Sequence, residues 1–150
     1  MKILSQRDLK WAALKLGQSP LTVGRYGCTT TCISMLSDYF GSYKDPGELA
    51  TKVLKYTNEG LILWSSVDAI PHMKFEKRLY GRNDDEIMNA LKDPNKAIIL
   101  QVNNGAHWVV ALRKTILGKS YTVADPWSGD KCDVIKRYKN ITGAAVFIRK

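Results

Sequence analysis

Past its middle, the hydrophobic pattern of this chain changes period, and that change limits the folds open to it. Up to about residue 92 most apolar residues recur at helical spacing, whereas from Ala97 onward they gather into short, unbroken runs. In the segment Thr29 to Phe40, Ile33, Leu36 and Phe40 fall on one stripe and Cys28, Cys32, Met35 and Tyr39 on the adjoining one, as in a helix with a broad buried face. Thr29 or Thr30 can cap its start and Gly41 its end. Asp45-Pro46-Gly47-Glu48 supplies an N-cap, a proline in the first turn and an acidic first turn, which predicts a helix running to about Tyr56. Shorter helical patterns cover Asp8 to Leu16, stopped by Gly17-Gln18-Ser19-Pro20, and Asp84 to Leu91. Thr22 to Tyr26 reads as a connector and Met73 to Tyr80 as a strand. Beyond these, Ala97 to Val102, His107 to Leu112, Ser120 to Ala124 and Ala144 to Ile148 read as buried strands, with Asn103-Asn104-Gly105 a strong turn signal. Helices first and strands later predict an α+β fold in one domain spanning residues 1–150, N-terminal helices followed by an antiparallel sheet.

A chain of 150 residues can bury a core without disulfides or metal. It holds three cysteines, an odd number, and its first residues carry no apolar stretch of signal-peptide length. A disulfide framework is therefore not expected. The expectation is synthesis in a cytoplasm, no membrane span, and any export by another route. The net charge of +9 favours anionic partners: nucleic acid, anionic lipid or a cell-wall polymer. The basic residues are scattered, with no run of five, and the aromatics do not interleave with them in a nucleic-acid-binding motif. Specific nucleic-acid binding is not expected.

The chemistry-bearing residues start with Gly27-Cys28-Thr29-Thr30-Thr31-Cys32. A glycine turn delivers Cys28 to a predicted helix N-terminus, where unsatisfied amides favour a thiolate. The backbone amide of such a nucleophile can also hold an oxyanion. Cys32 lies one turn inside the helix and reads as a small buried hydrophobe. His107 opens a buried strand, a rigid place for a general base; His72 follows Pro71 in a less regular stretch and reads as a surface histidine. Asp125 closes the strand Tyr121 to Ala124, where a carboxylate can orient an imidazole on the neighbouring strand; Asp130 and Asp133 are alternatives. Gln6 and Gln18 are candidate oxyanion donors, while Asn103 and Asn104 fit the turn. Cys28, Cys32, Cys132 and His107 would make four zinc ligands, but structural zinc sites show closely spaced pairs on both arms, and only one arm does so here.

Taken together, Ser5-Gln6-Arg7-Asp8 and Trp11, Tyr26-Gly27-Cys28 through Leu36, Gly105-Ala106-His107-Trp108-Val109-Val110, and Ala124-Asp125-Pro126-Trp127 with Gly129 resemble the cysteine peptidase family 39-like group. These are relatives of the bacteriocin-processing, double-glycine leader peptidases within the papain-like superfamily. The resemblance implies a papain-like fold, Cys28 as nucleophile, His107 as base, Asp125 as orienting group and Gln6 lining the oxyanion hole, with Cys32 the second, non-catalytic cysteine. Leader peptidases commonly carry an acidic residue before the nucleophile and a glycine after it; here those positions are Gly27 and Thr29, and Thr22 stands where their glutamine does. The longer spacing from Gln6 to Cys28 resembles the stand-alone, partly phage-encoded members. The function expected is that of a cysteine peptidase or amidase needing no metal or organic cofactor. Its expected substrate is a peptide or protein, foremost the peptides of anionic cell-wall peptidoglycan and next a specific protein. The alternative is a catalytically silent peptide- or protein-binding module on the same fold.

Overall fold

The computed structural model describes residues 1–150. Its helices are α1 (Val23–Tyr26), α2 (Cys28–Tyr39), α3 (Pro46–Glu48), α4 (Asp84–Lys92) and α5 (Val134–Tyr138). Its strands are β1 (Met73–Tyr80), β2 (Lys96–Val102), β3 (His107–Lys114), β4 (Tyr121–Asp125), β5 (Asp130–Asp133) and β6 (Ile141–Arg149). The strands form one six-stranded sheet in the order β1-β6-β2-β3-β4-β5, antiparallel at every pairing. This is the expected α+β arrangement.

Both faces of the sheet are covered. Along β2, Ala97 and Ile99 meet one hydrophobic cluster, while Ile98, Leu100 and Val102 meet the other. Two-sided burial explains why this segment reads as an unbroken apolar run rather than an alternating one. The first cluster receives Cys32, Ile33, Met35 and Leu36 from α2 and Phe40 from its C-cap. The second receives Ile87 and Ala90 from α4 and Val134 from α5.

Four local expectations are corrected. The segment Thr22 to Tyr26, read as a connector, holds the short helix α1, Val23–Tyr26. Asp8 to Leu16 is a series of turns, not a helix. Its backbone bonds sideways to the next segment, Leu16 N–H to Leu21 O and Gly24 N–H to Ala12 O, both at 2.9 Å; so short a segment is a marginal helix in any case. The predicted helix after Asp45 starts as expected, the Asp45 side chain accepting from the Glu48 N–H at 2.8 Å. It then widens into a π-helical turn, Leu49–Val53, and stops. Lys55 and Tyr56 instead pair with Leu63 and Ile62. Finally, no threonine caps α2, which begins at Cys28 after an uncapped Gly27; Thr30 Oγ1 lies 2.6 Å from the Tyr56 hydroxyl instead.

Candidate active site

The junction between α1 and α2 leaves no room for a side chain at Gly27. A Cβ there would lie 2.5 Å from the Val23 carbonyl oxygen, while the Gly27 N–H donates to that same oxygen at 2.8 Å. The tight corner makes Cys28 the first residue of α2. One turn further in, buried Cys32 donates its thiol to the Trp108 carbonyl at 3.5 Å, tying α2 to the residue next to His107. Cys28 and His107 consequently line one recess of about 350 Å³, with Arg25, Tyr26, Asn103, Ala106, Trp127 and Tyr138. A second recess of about 390 Å³ shares Tyr26, Cys28 and Ala106 and extends to Leu61, Ile62, Trp64 and Trp108. Cys28 therefore stands where two halves of a cleft meet.

His107 is delivered by a left-handed turn in which Asn103, Asn104 and Gly105 have φ of +54°, +55° and +91°. Asn140 steadies the turn, its Nδ2 donating to Asn104 Oδ1 at 2.8 Å. His107 Nε2 donates to Asp125 Oδ1 at 2.8 Å, which leaves Nδ1 as the nitrogen able to exchange a proton. Asp125 closes β4 and is completely buried. Its Oδ1 also accepts from the Trp127 N–H at 3.0 Å. Its Oδ2 accepts from Arg137 Nη1 at 3.0 Å and from the Tyr138 hydroxyl.

These contacts separate the ionisation of the two partners. Burial alone would lower the His107 pKa, but hydrogen bonding to Asp125 and interaction with Cys28 raise it to about 9. Burial alone would raise the Asp125 pKa; the hydrogen bonds from His107, Tyr138 and the Trp127 amide instead hold it well below the usual carboxylate range. Burial pushes the other thiols upward, Cys32 well above the ordinary value and Cys132 to about 11. A thiol, an imidazole that holds its proton and an ionised carboxylate thus stand in series, an arrangement that can shuttle one proton during attack on a carbonyl.

The remaining candidates lie as follows. Gln6 is 1 % exposed; its Nε2 donates to the Gly24 carbonyl at 3.3 Å and its N–H to the Pro126 carbonyl at 2.7 Å, so it bridges the segments bearing Cys28 and Asp125. Its Oε1 is buried without a partner. Gln18 is exposed and reaches Asn58 at 3.5 Å. Asp130 pairs with Arg137, and Asp133 caps α5, so neither takes the place of Asp125. His72 is exposed. Cys28, Cys32, Cys132 and His107 form no metal-ligating group. Sequence reasoning missed Arg137 and Tyr138. Asp133 before Val134 was a legible helix-start signal, but no local pattern links α5 to a carboxylate on β4.

The Peptidase C39 family model matches residues 21–142. The fold is similar to the crystal structure of the N-terminal peptidase C39-like domain of the toxin secretion ATP-binding protein from Vibrio parahaemolyticus. That similarity has a TM-score of 0.59 at 13% identity, covering 82% of this chain and 97% of that one. No curated protein matches. No helix is long and apolar enough to cross a membrane. The family match spans Cys28, His107 and Asp125 alike, and the α+β fold is that of a C39 peptidase-like domain: the chain belongs to the peptidase C39 family.

Proposed function

We propose that this chain is a cysteine peptidase or amidase in which Cys28 attacks, His107 moves the proton and Asp125 holds the imidazole. The observation that carries the reading is that Cys28 and His107 line one recess and that His107 is hydrogen-bonded to the buried Asp125 behind it. The proton of the Cys28 thiol resides on His107 when the sulfur adds to the amide carbonyl carbon. The tetrahedral oxyanion is met by the Cys28 N–H and by Gln6, which keeps a second Nε2 hydrogen beyond the one given to Gly24. Collapse breaks the C–N bond, and His107 protonates the departing amine. Water then attacks the thioester with His107 as base, releasing the acid and restoring the thiol.

The amine leaves through the recess that holds His107, and the acyl group occupies the one lined by Ile62, Trp64 and Trp108. A cleft open on both sides of the sulfur suits a peptide chain. The net charge of +9 favours peptides carried on an anionic wall, so peptidoglycan peptides are the first substrate class and a specific protein the second. The test measures amines released from purified peptidoglycan and from candidate proteins. Wild type should release them and Cys28→Ala should not; full hydrolysis by Cys28→Ala overturns the reading. Alkylation rates give a separate check, with Cys28 expected to react faster than Cys32 and Cys132. Equal rates would favour the silent binding module.

A further inference from the structure

The carboxylate of Asp125 has more donors than orientation of a histidine requires. An ionised carboxylate offers about four acceptor sites, and here four donors reach it: His107 and the Trp127 N–H on Oδ1, Arg137 and Tyr138 on Oδ2. We infer that Arg137 and Tyr138 are positioning residues of this site, which share the Asp125 carboxylate with His107 and set how much of its negative charge reaches the imidazole. The inference rests on the proposed roles of Cys28, His107 and Asp125.

Both residues are fixed for the task. Arg137 Nη1 bridges Asp125 Oδ2 at 3.0 Å, Asp130 Oδ1 at 2.9 Å and Ser128 Oγ at 3.2 Å, while Nη2 holds Asp130 Oδ2 at 3.0 Å. An arginine with several oxygens around it is a directed charge rather than a mobile surface one. Tyr138 touches both members of the pair: its hydroxyl donates to Asp125, and its ring centroid lies 5.2 Å from that of His107. The helix presenting them is anchored independently, since Asp133 accepts from the Ile135 and Lys136 N–H groups at 3.1 and 3.2 Å and from Ser120 Oγ at 2.5 Å.

The titratable and charged groups around the pair come from four elements. Arg25 of α1 and Cys28 of α2 line the recess; Cys32 of α2 and Cys132 of β5 feel the charge of Asp125; Asp130 of β5 and the two α5 residues complete the set. Among them, Arg137 alone forms a salt bridge with Asp125 as a permanent cation. Losing the Arg137 charge, or the Tyr138 hydrogen bond, leaves more negative charge for His107 and favours its protonated form. The direction is therefore fixed: either loss makes the imidazole release its proton at a higher pH.

The experiment reads His107 directly by NMR titration of its ring protons, and in parallel the alkaline limb of kcat/KM against pH. The proteins are wild type, Tyr138→Phe, Arg137→Met and Arg137→Lys. Tyr138→Phe keeps the ring and is the primary variant; a native circular dichroism spectrum is the condition for including each. Expected is an upward shift of the His107 midpoint by about 1 pH unit in Tyr138→Phe and Arg137→Met, partly reversed in Arg137→Lys, with the alkaline limb moving alongside. An unmoved or lowered midpoint overturns the inference, even if activity falls, because a merely structural role would reduce rate without moving the titration. A shifted midpoint in a protein without Cys28-dependent hydrolysis overturns the proposed function and leaves the charge-sharing intact.

Discussion

At the scale of single residues, the His107–Asp125 pair ties folding stability to pH. His107 loses its proton near pH 6.5 in an unfolded chain but holds it to about 9 in the folded one. Its contribution is complete below about pH 6.5 and is lost as pH rises through the folded value. Asp125 has the opposite sense. Its folded pKa is depressed, so its contribution is complete above the unfolded value of about 3.9 and is lost as pH falls further. Thermal melts should therefore place the pair's full contribution between about pH 4 and 6.5, with a decline on the alkaline side that His107→Gln flattens. Unchanged alkaline decline in His107→Gln would remove His107 as its source. These two residues were legible in the sequence because each stands at the end of a recognisable strand, and Cys28 because a glycine precedes it and a helix follows. Arg137 and Tyr138 were not, since their partner lies 12 and 13 residues away across two short elements.

At the scale of elements, the corner between α1 and α2 positions the sulfur. Gly27→Ala would force a methyl group to within 2.5 Å of the Val23 oxygen. Relieving that overlap should cost roughly 1–3 kcal/mol and move the first turn of α2. Urea denaturation should show the loss of stability, and alkylation of Cys28 should slow; an unchanged midpoint and rate would mean that the corner opens freely. Legibility at this scale followed burial and length. The runs that became β2 and β3 are buried on both sides of the sheet, so their patterns were strong. Asp8 to Leu16 misled because its helical spacing is only partly used: Trp11 and Leu16 are buried, but Leu9 is fully in solvent. The four residues of β5 and five of α5 are too short for any period to declare itself.

For the whole molecule, the fold class followed from the order of helical and strand patterns, whereas the excess of positive charge is a property of no single element. Attraction of this kind is long-range and screened by salt. Retention of the protein on purified anionic cell wall should fall steeply as salt rises, and equally for wild type and Cys28→Ala. Hydrolysis of a small uncharged peptide should change little over the same range. Salt-insensitive retention would mean that shape rather than charge holds the wall. The arrangement of tryptophans has another consequence. Trp11 and Trp108 are buried, Trp64 is half-covered, and only Trp127 stands well exposed, at 42 %. It forms a wall of the cleft beside Cys28, with the Arg7 guanidinium 4.4 Å from its ring centroid. Trp64 and Trp108 line the other half of that cleft, so the emission of these three indoles should change when it fills, an intrinsic optical gauge of occupancy that works even when no bond is broken.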